Sequence, residues 1–259
     1  MSPLRKQWKR RVRGQSAAVL TIGAVVLWSM YKSEFDLQAL LHSGERFSEF
    51  FGRLAPPNWS VTGLVIHSTL ETLLIALAGT SLGVLVSLPL GFLAASNVTP
   101  GWVSHPVKLF LGFLRSIPLI VVAIIFVVAV GLGPFPGALA IAFHSIGMLG
   151  KFYAEEFETA DQGIVNAVDG TGATRLQTLR FGLFPQCIPQ VVAFTIYRFE
   201  MNFRDATVLG LVGAGGIGYY IQLYVRGFQY EKVAVLLLVI IAVVTLLDQL
   251  TFWVRRWVR

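Results

Sequence analysis

The sequence predicts an all-α membrane protein, a polytopic bundle of about six transmembrane helices, and three observations predict it. Of the 259 residues, 55% are hydrophobic and only 14% are charged, against about a quarter charged in an ordinary soluble domain. The apolar residues come in long uninterrupted blocks, each near the ~20 residues that cross a bilayer. Lys and Arg collect at the ends of those blocks, as positive-inside topology requires.

The blocks fall at about 15–31, 66–92, 108–131, 134–150, 187–211 and 233–254, so the chain reads as one membrane domain over 1–259. Arg5, Lys6, Lys9, Arg10, Arg11 and Arg13 precede the first block, and Arg255, Arg256 and Arg259 follow the last. A basic start before an apolar run also opens a signal peptide. Ser29-Met30-Tyr31 offers no small-x-small cleavage site, so the first block reads as a retained span. Six crossings from a cytoplasmic N-terminus return the C-terminus to the cytoplasm. Sorted that way, thirteen Lys and Arg lie inside, five lie outside, and Arg115, Arg198 and Arg204 fall within spans. The net charge of +7 is therefore a topology signal. It carries none of the base-reading motifs that nucleic-acid binding needs.

Between the first two spans, Phe47, Phe50, Phe51 and Leu54 repeat at helical spacing, which predicts a short helix at the membrane surface ended by Pro56-Pro57. The stretch 151–186 differs from its surroundings, with Glu155, Glu156, Glu158, Asp161 and Asp169 on the predicted cytoplasmic side. Leu176, Leu179 and Leu183 recur at spacings of three and four. Two helices are expected there, broken at Gly170-Thr171-Gly172, with Thr171 capping the second. Such an arm suits docking of a soluble partner.

The fifth block carries Arg198, Glu200, Arg204 and Asp205. A charge at the bilayer centre costs about 2.5–3.5 kcal/mol on insertion scales, so these groups must face protein, water or each other. At about 100° per residue, Arg198, Asn202 and Asp205 share one face, and Glu200 and Arg204 share nearly the opposite one. Glu200 before Arg204 is the favourable i, i+4 order for a helix-packing ion pair. The Arg198 face is the candidate substrate pathway, because a guanidinium fork donates two parallel hydrogen bonds to a tetrahedral oxyanion. Glu71, His67, Arg115, Ser116 and His144 are secondary candidates near span ends. The lone histidines have no partner at metal spacing, and no metal site is expected.

Gly213-x-Gly215-x-x-Gly218 spells the dinucleotide fingerprint, yet it ends a membrane span instead of following a strand in a βαβ unit. With Gly210 and Gly216, it reads as a close-packed or broken helix end, where missing side chains let backbones approach. Cys187 is the single cysteine, excluding an internal disulfide and reading as a small apolar filler.

Spacing within the 151–186 arm resembles the EAA loop of ABC importer permeases: Glu-Ala-Ala, three residues, Gly, nine residues, then Ile-x-Leu-Pro. Here Asn166-Ala167-Val168 is followed by Gly172 and by Gly182-Leu183-Phe184-Pro185, so the Ala, the Gly and the Pro fall in register. Asn166 stands where the family has Glu, and Asp169 on the same helical face is a candidate substitute. Val128-Ala-Val-Gly-Leu-Gly-Pro-Phe135, Arg115-Ser-Ile-Pro118 and the run from Tyr197 to Gly218 narrow the resemblance to permeases of phosphonate importers, a group that includes phosphite and related oxyanion systems.

That resemblance implies a type I ABC importer permease fold in a bacterial inner membrane, both termini cytoplasmic. It implies a homodimer, two cytoplasmic ATPase subunits docked on the arm through Asn166, Ala167, Val168, Asp169, Gly170, Gly172, Ala173 and Pro185, and an extracytoplasmic binding protein. The cargo would be phosphonate, phosphite, hypophosphite or phosphate. No cofactor is expected in this chain; ATP and Mg would be bound by the partner ATPase, and the chain itself would be no enzyme. A self-contained channel or secondary transporter gives no reason for the spacing from Gly172 to Pro185. A membrane-embedded hydrolase would need a nucleophile or metal cluster, and the sequence offers neither an HExxH nor a nucleophile with a nearby base.

Overall fold

The structure, a computed structural model, describes residues 19–258. The basic cluster between positions 5 and 13, the start of the first expected span, and Arg259 lie outside the described residues. The chain divides into two units, one ending at Arg53 and one beginning at Leu54.

In the first unit, the described part of α1 runs over Val19–Lys32 and is apolar. It is followed by α2 (Leu37–Arg53), whose first turn is capped by Asp36 Oδ1 accepting from Gln38 N at 2.8 Å. Phe47, Phe50 and Phe51 are exposed on α2, where the aromatic stripe predicted a surface helix.

The second unit is built on α3 (Thr62–Ala94) and α6 (Pro134–Thr159), its most extensive helix pair. Lipid provides no hydrophobic drive between helices, so small residues at the seam let backbones approach. A Cβ on Gly79 would lie 2.6 Å from Ile141, one on Gly83 2.6 Å from Ser145, and one on Gly91 2.7 Å from Tyr153. The contacts advance in the same order along both helices, which therefore run parallel. Helix α9 (Phe184–Gly210) runs against them, with Tyr153 Oη and Thr195 Oγ1 at 2.6 Å near one end. Ile75, Ala76, Val122, Ala123, Ile141 and Phe203 fill the core between these helices. Leucines such as Leu74 and Leu85 stay exposed on the outer side of α3, the face expected to meet lipid. The unit closes with α10 (Gly216–Arg226) and α11 (Tyr230–Val258).

Two sequence expectations are corrected. The block 108–131 is two helices, α4 (Gly101–Ser116) and α5 (Leu119–Val130), meeting at 82°. Pro118 lacks an N–H and bars the helical region to its predecessor, and Ile117 is extended at ψ 122°. The fourth span does not stop at 150. Helix α6 continues to Thr159 because Tyr153, Ala154 and Phe157 keep its buried face while Lys151 and Glu155 point outward. Among the described residues, four continuous helices are long and apolar enough to span, the bent pair is a fifth candidate, and the described part of α1 is apolar.

Candidate functional site

The arm begins where α6 ends. Helix α7 (Gln162–Asp169) is capped by Asp161 Oδ1, which accepts from Gly163 N at 2.7 Å. Helix α8 (Arg175–Thr178) follows, and a π-helical turn over Leu179–Leu183 carries it into α9. The break thus falls at 170–174, but the expected cap is corrected. Thr171 Oγ1 donates back to Val168 O at 2.7 Å, and Thr174 is the N-cap, in a capping box with Gln177. A Ser or Thr with Gln three residues later is the sequence signature of that box, so Thr174 was legible. Of the two turn glycines only Gly172 adopts the left-handed region, at φ +80° with open space around it; Gly170 stays helical at φ −62°.

Asn166 and Ala167 are exposed, Val168 and Ala173 half-buried, and Pro185 exposed in the first turn of α9. Asp169 is engaged within the arm, where its Oδ1 accepts from Thr178 Oγ1 at 3.2 Å. The leucine stripe divides. Leu183 is buried, whereas Leu176 is 75% exposed and Ile164 on α7 is exposed too, so the arm presents apolar side chains to its surroundings. The arm is also held from behind, with Arg175 Nη2 donating to Val98 O in the α3–α4 loop.

About two helical turns of α9 hold the ionisable cluster. Arg198 is 3% exposed and points at α6. Its Nε donates to Ser145 Oγ at 3.2 Å and its Nη1 to Met148 Sδ at 3.1 Å. Its Nη2 lies 2.9 Å from His144 Nδ1 and 3.4 Å from Asp205 Oδ2. Asn202 continues this face, donating to Thr80 Oγ1 at 2.7 Å and to Ser145 Oγ at 3.0 Å. Its Oδ1 is buried without a hydrogen-bond partner. On the other side of α9, Arg204 Nη2 lies 2.7 Å from both Glu200 Oε1 and Asp248 Oδ1.

The secondary candidates scatter. His144 joins Arg198 directly. Arg115 and Ser116 are exposed at the α4–α5 break. His67 is exposed and Glu71 half-buried, well over two turns along α3 from Thr80. Glu71 Oε1 stands 2.8 Å from where a Cβ on Gly215 would be, at the turn joining α9 to α10. In that turn Gly213, Gly215 and Gly216 all have positive φ. A Cβ on Gly210 would meet Gly215 O at 2.6 Å, and one on Gly218 would meet Thr207 O at 1.9 Å. Ile217 N donates to Thr72 Oγ1 at 2.8 Å, fastening the turn to α3.

Sequence reasoning missed Ser145, Thr80, Met148 and Asp248. Asp248 carried a readable signal, being the one ionisable residue in the block 233–254, and an intramembrane carboxylate marks a partner by default. The other three are uncharged and become visible only through the parallel α3–α6 seam.

Comparisons with known proteins identify the family of the chain. The family model of binding-protein-dependent transport system inner membrane components matches residues 87–259. The phosphite transport system permease protein PtxC of Stutzerimonas stutzeri is 41% identical over 254 residues, 96% of this chain and 90% of that one. The phosphate-import permease protein PhnE of Mycolicibacterium smegmatis is 36% identical over 88% of this chain and 43% of its own. A solved structure of the inward-facing MetNI methionine ABC transporter superposes with a TM-score of 0.70 at 20% identity, over 78% of this chain and 99% of the matched one. The chain therefore belongs to the inner membrane components of binding-protein-dependent transport systems, as a multi-pass permease.

Proposed function

We propose that this permease carries a phosphorus oxyanion, phosphite or a related phosphonate or phosphate, delivered by an extracytoplasmic binding protein. The carrying observation is the 41% identity to a phosphite transport permease along 96% of the chain. In this reading two copies of the chain form the pathway, both termini are cytoplasmic, and two ATPase subunits that bind ATP and Mg grip the 161–185 arm. The exposed Ile164 and Leu176 supply the apolar contact, and Gly172 lets the arm fold back on itself.

Arg198 is the residue placed to meet the anion. Its terminal nitrogens are held by weak acceptors: a thioether, a histidine ring, and a carboxylate at 3.4 Å. A doubly accepting oxyanion competes well against those, because a bidentate charge-assisted pair is stronger than any of them. The Glu200–Arg204 pair, facing α11, serves packing.

The test is ATP-dependent uptake of labelled phosphite by the reconstituted complex. Arg198→Lys keeps the charge and loses the fork, so uptake falls at least about tenfold while the complex still assembles; normal uptake would remove Arg198 from the pathway. Gly172→Pro, impossible at φ +80°, leaves the permease inserted but unable to retain its ATPase in a pull-down. Full retention would end the docking assignment.

A further inference from the structure

Away from the Arg198 cluster, the second unit encloses a cavity of about 250 Å³ where α3, α4 and α6 converge, lined by Lys108, Lys151, Glu155 and Glu158 over Ala94, Leu111 and Ala154. The volume exceeds what isolated waters need, at about 30 Å³ each. The three floor residues are buried. Ala94 closes α3 and Glu158 lies in the final turn of α6, so the rim stands at the level of helix ends, where a bilayer places its headgroups.

The rim is a set of two cations and two anions, and it is only partly satisfied. Glu158 Oε1 alone takes Ser96 N, Ser96 Oγ and Lys108 Nζ, at 2.7, 2.7 and 2.6 Å, so those contacts leave Oε2 clear. Lys151 and Glu155 are 3.7 Å apart and about half exposed. The remaining wall is Gly112, beside which a Cβ would meet nothing within 4 Å. Gly112 shares a helical stripe with Leu109 and Phe113, both exposed. An exposed apolar stretch of α4 thus borders the cavity at Gly112.

We propose that this cavity binds the headgroup of a zwitterionic phospholipid bearing a primary ammonium, of the phosphatidylethanolamine type. Lys108 and Lys151 take the phosphodiester, Glu155 and Glu158 take the ammonium, and the acyl chains leave past Gly112 along Leu109 and Phe113. A primary ammonium offers three donors to the carboxylates, and a quaternary ammonium offers none. A purely anionic headgroup leaves both carboxylates facing its charge.

The test uses the full permease–ATPase complex in nanodiscs of equimolar phosphatidylethanolamine, phosphatidylcholine and phosphatidylglycerol, with retained lipid counted by native mass spectrometry. Phosphatidylethanolamine is retained about tenfold over phosphatidylcholine, as charge-assisted hydrogen bonds predict. Gly112→Trp plugs the mouth without disturbing packing and abolishes that preference; Glu155→Gln, at an exposed position, weakens it several-fold. Equal retention of the three lipids, or an unchanged preference in both variants, overturns the proposal. So does binding of soluble phosphoethanolamine, measured by calorimetry, without retained lipid, because the ligand is then a free solute.

Discussion

Arg198 and Arg204 are the same residue type on the same helix, six positions apart, and the protein treats them differently. Arg198 is 3% exposed and feeds three donors into α6 and its own helix. Arg204 is 39% exposed and rests between Glu200 and Asp248. Six residues of helix turn a side chain by about 600°, which leaves the two guanidinium groups on different faces. One face meets the polar seam of α3 and α6, and the other meets α11. The difference teaches that charge within a span is read by its neighbours. A guanidinium held by weak acceptors is poised to change partners, whereas one between two carboxylates is already neutralised.

Substitutions can break or sharpen this contrast. Arg198→Ala should have the largest effect, destabilising the permease by about 3–5 kcal/mol, because it strands Asp205 near a buried polar network. Unfolding in a denaturing detergent titration measures it, and a loss near that of Arg204→Ala would erase the distinction. Asn202→Ala comes next, at about 1–3 kcal/mol in the same titration, since it withdraws donors from the buried Thr80 and Ser145 hydroxyls. A negligible loss would mean that the orphaned Asn202 Oδ1 already offsets those bonds. The smallest effect belongs to the outer face. A double-mutant cycle of Arg204→Ala with Asp248→Ala should yield only weak coupling, as solvent-exposed ion pairs do, and a coupling as large as the loss from Asn202→Ala would promote that pair to a structural anchor.

Much of this was legible beforehand, for reasons that differ by element. Long apolar blocks announce spanning helices because lipid admits almost nothing else, and the helical period alone put Arg198 and Asn202 opposite Glu200 and Arg204. The 82° break was harder to see, although Pro118 stood in the sequence, because a proline in an apolar run kinks some helices and ends others. The full length of α6 is hidden from hydropathy because its last nine residues are polar on one side only, and an average runs over both sides. Asp248 differs from the other partners in that its isolation in the last apolar block is visible in the sequence.

By itself the sequence determined what depends on composition and short spacing: a membrane bundle, a glycine-hinged arm before the fifth span, and a fifth span with two charged faces. Tertiary structure alone decided which neighbours those faces meet. Ser145, Met148 and Thr80 are ordinary residues on distant stretches, and they gather around Arg198 and Asn202 only because glycines let α3 and α6 approach in parallel. Such long-range pairing leaves no local periodicity to read, since packing energy depends on surfaces that come together only when the chain is folded.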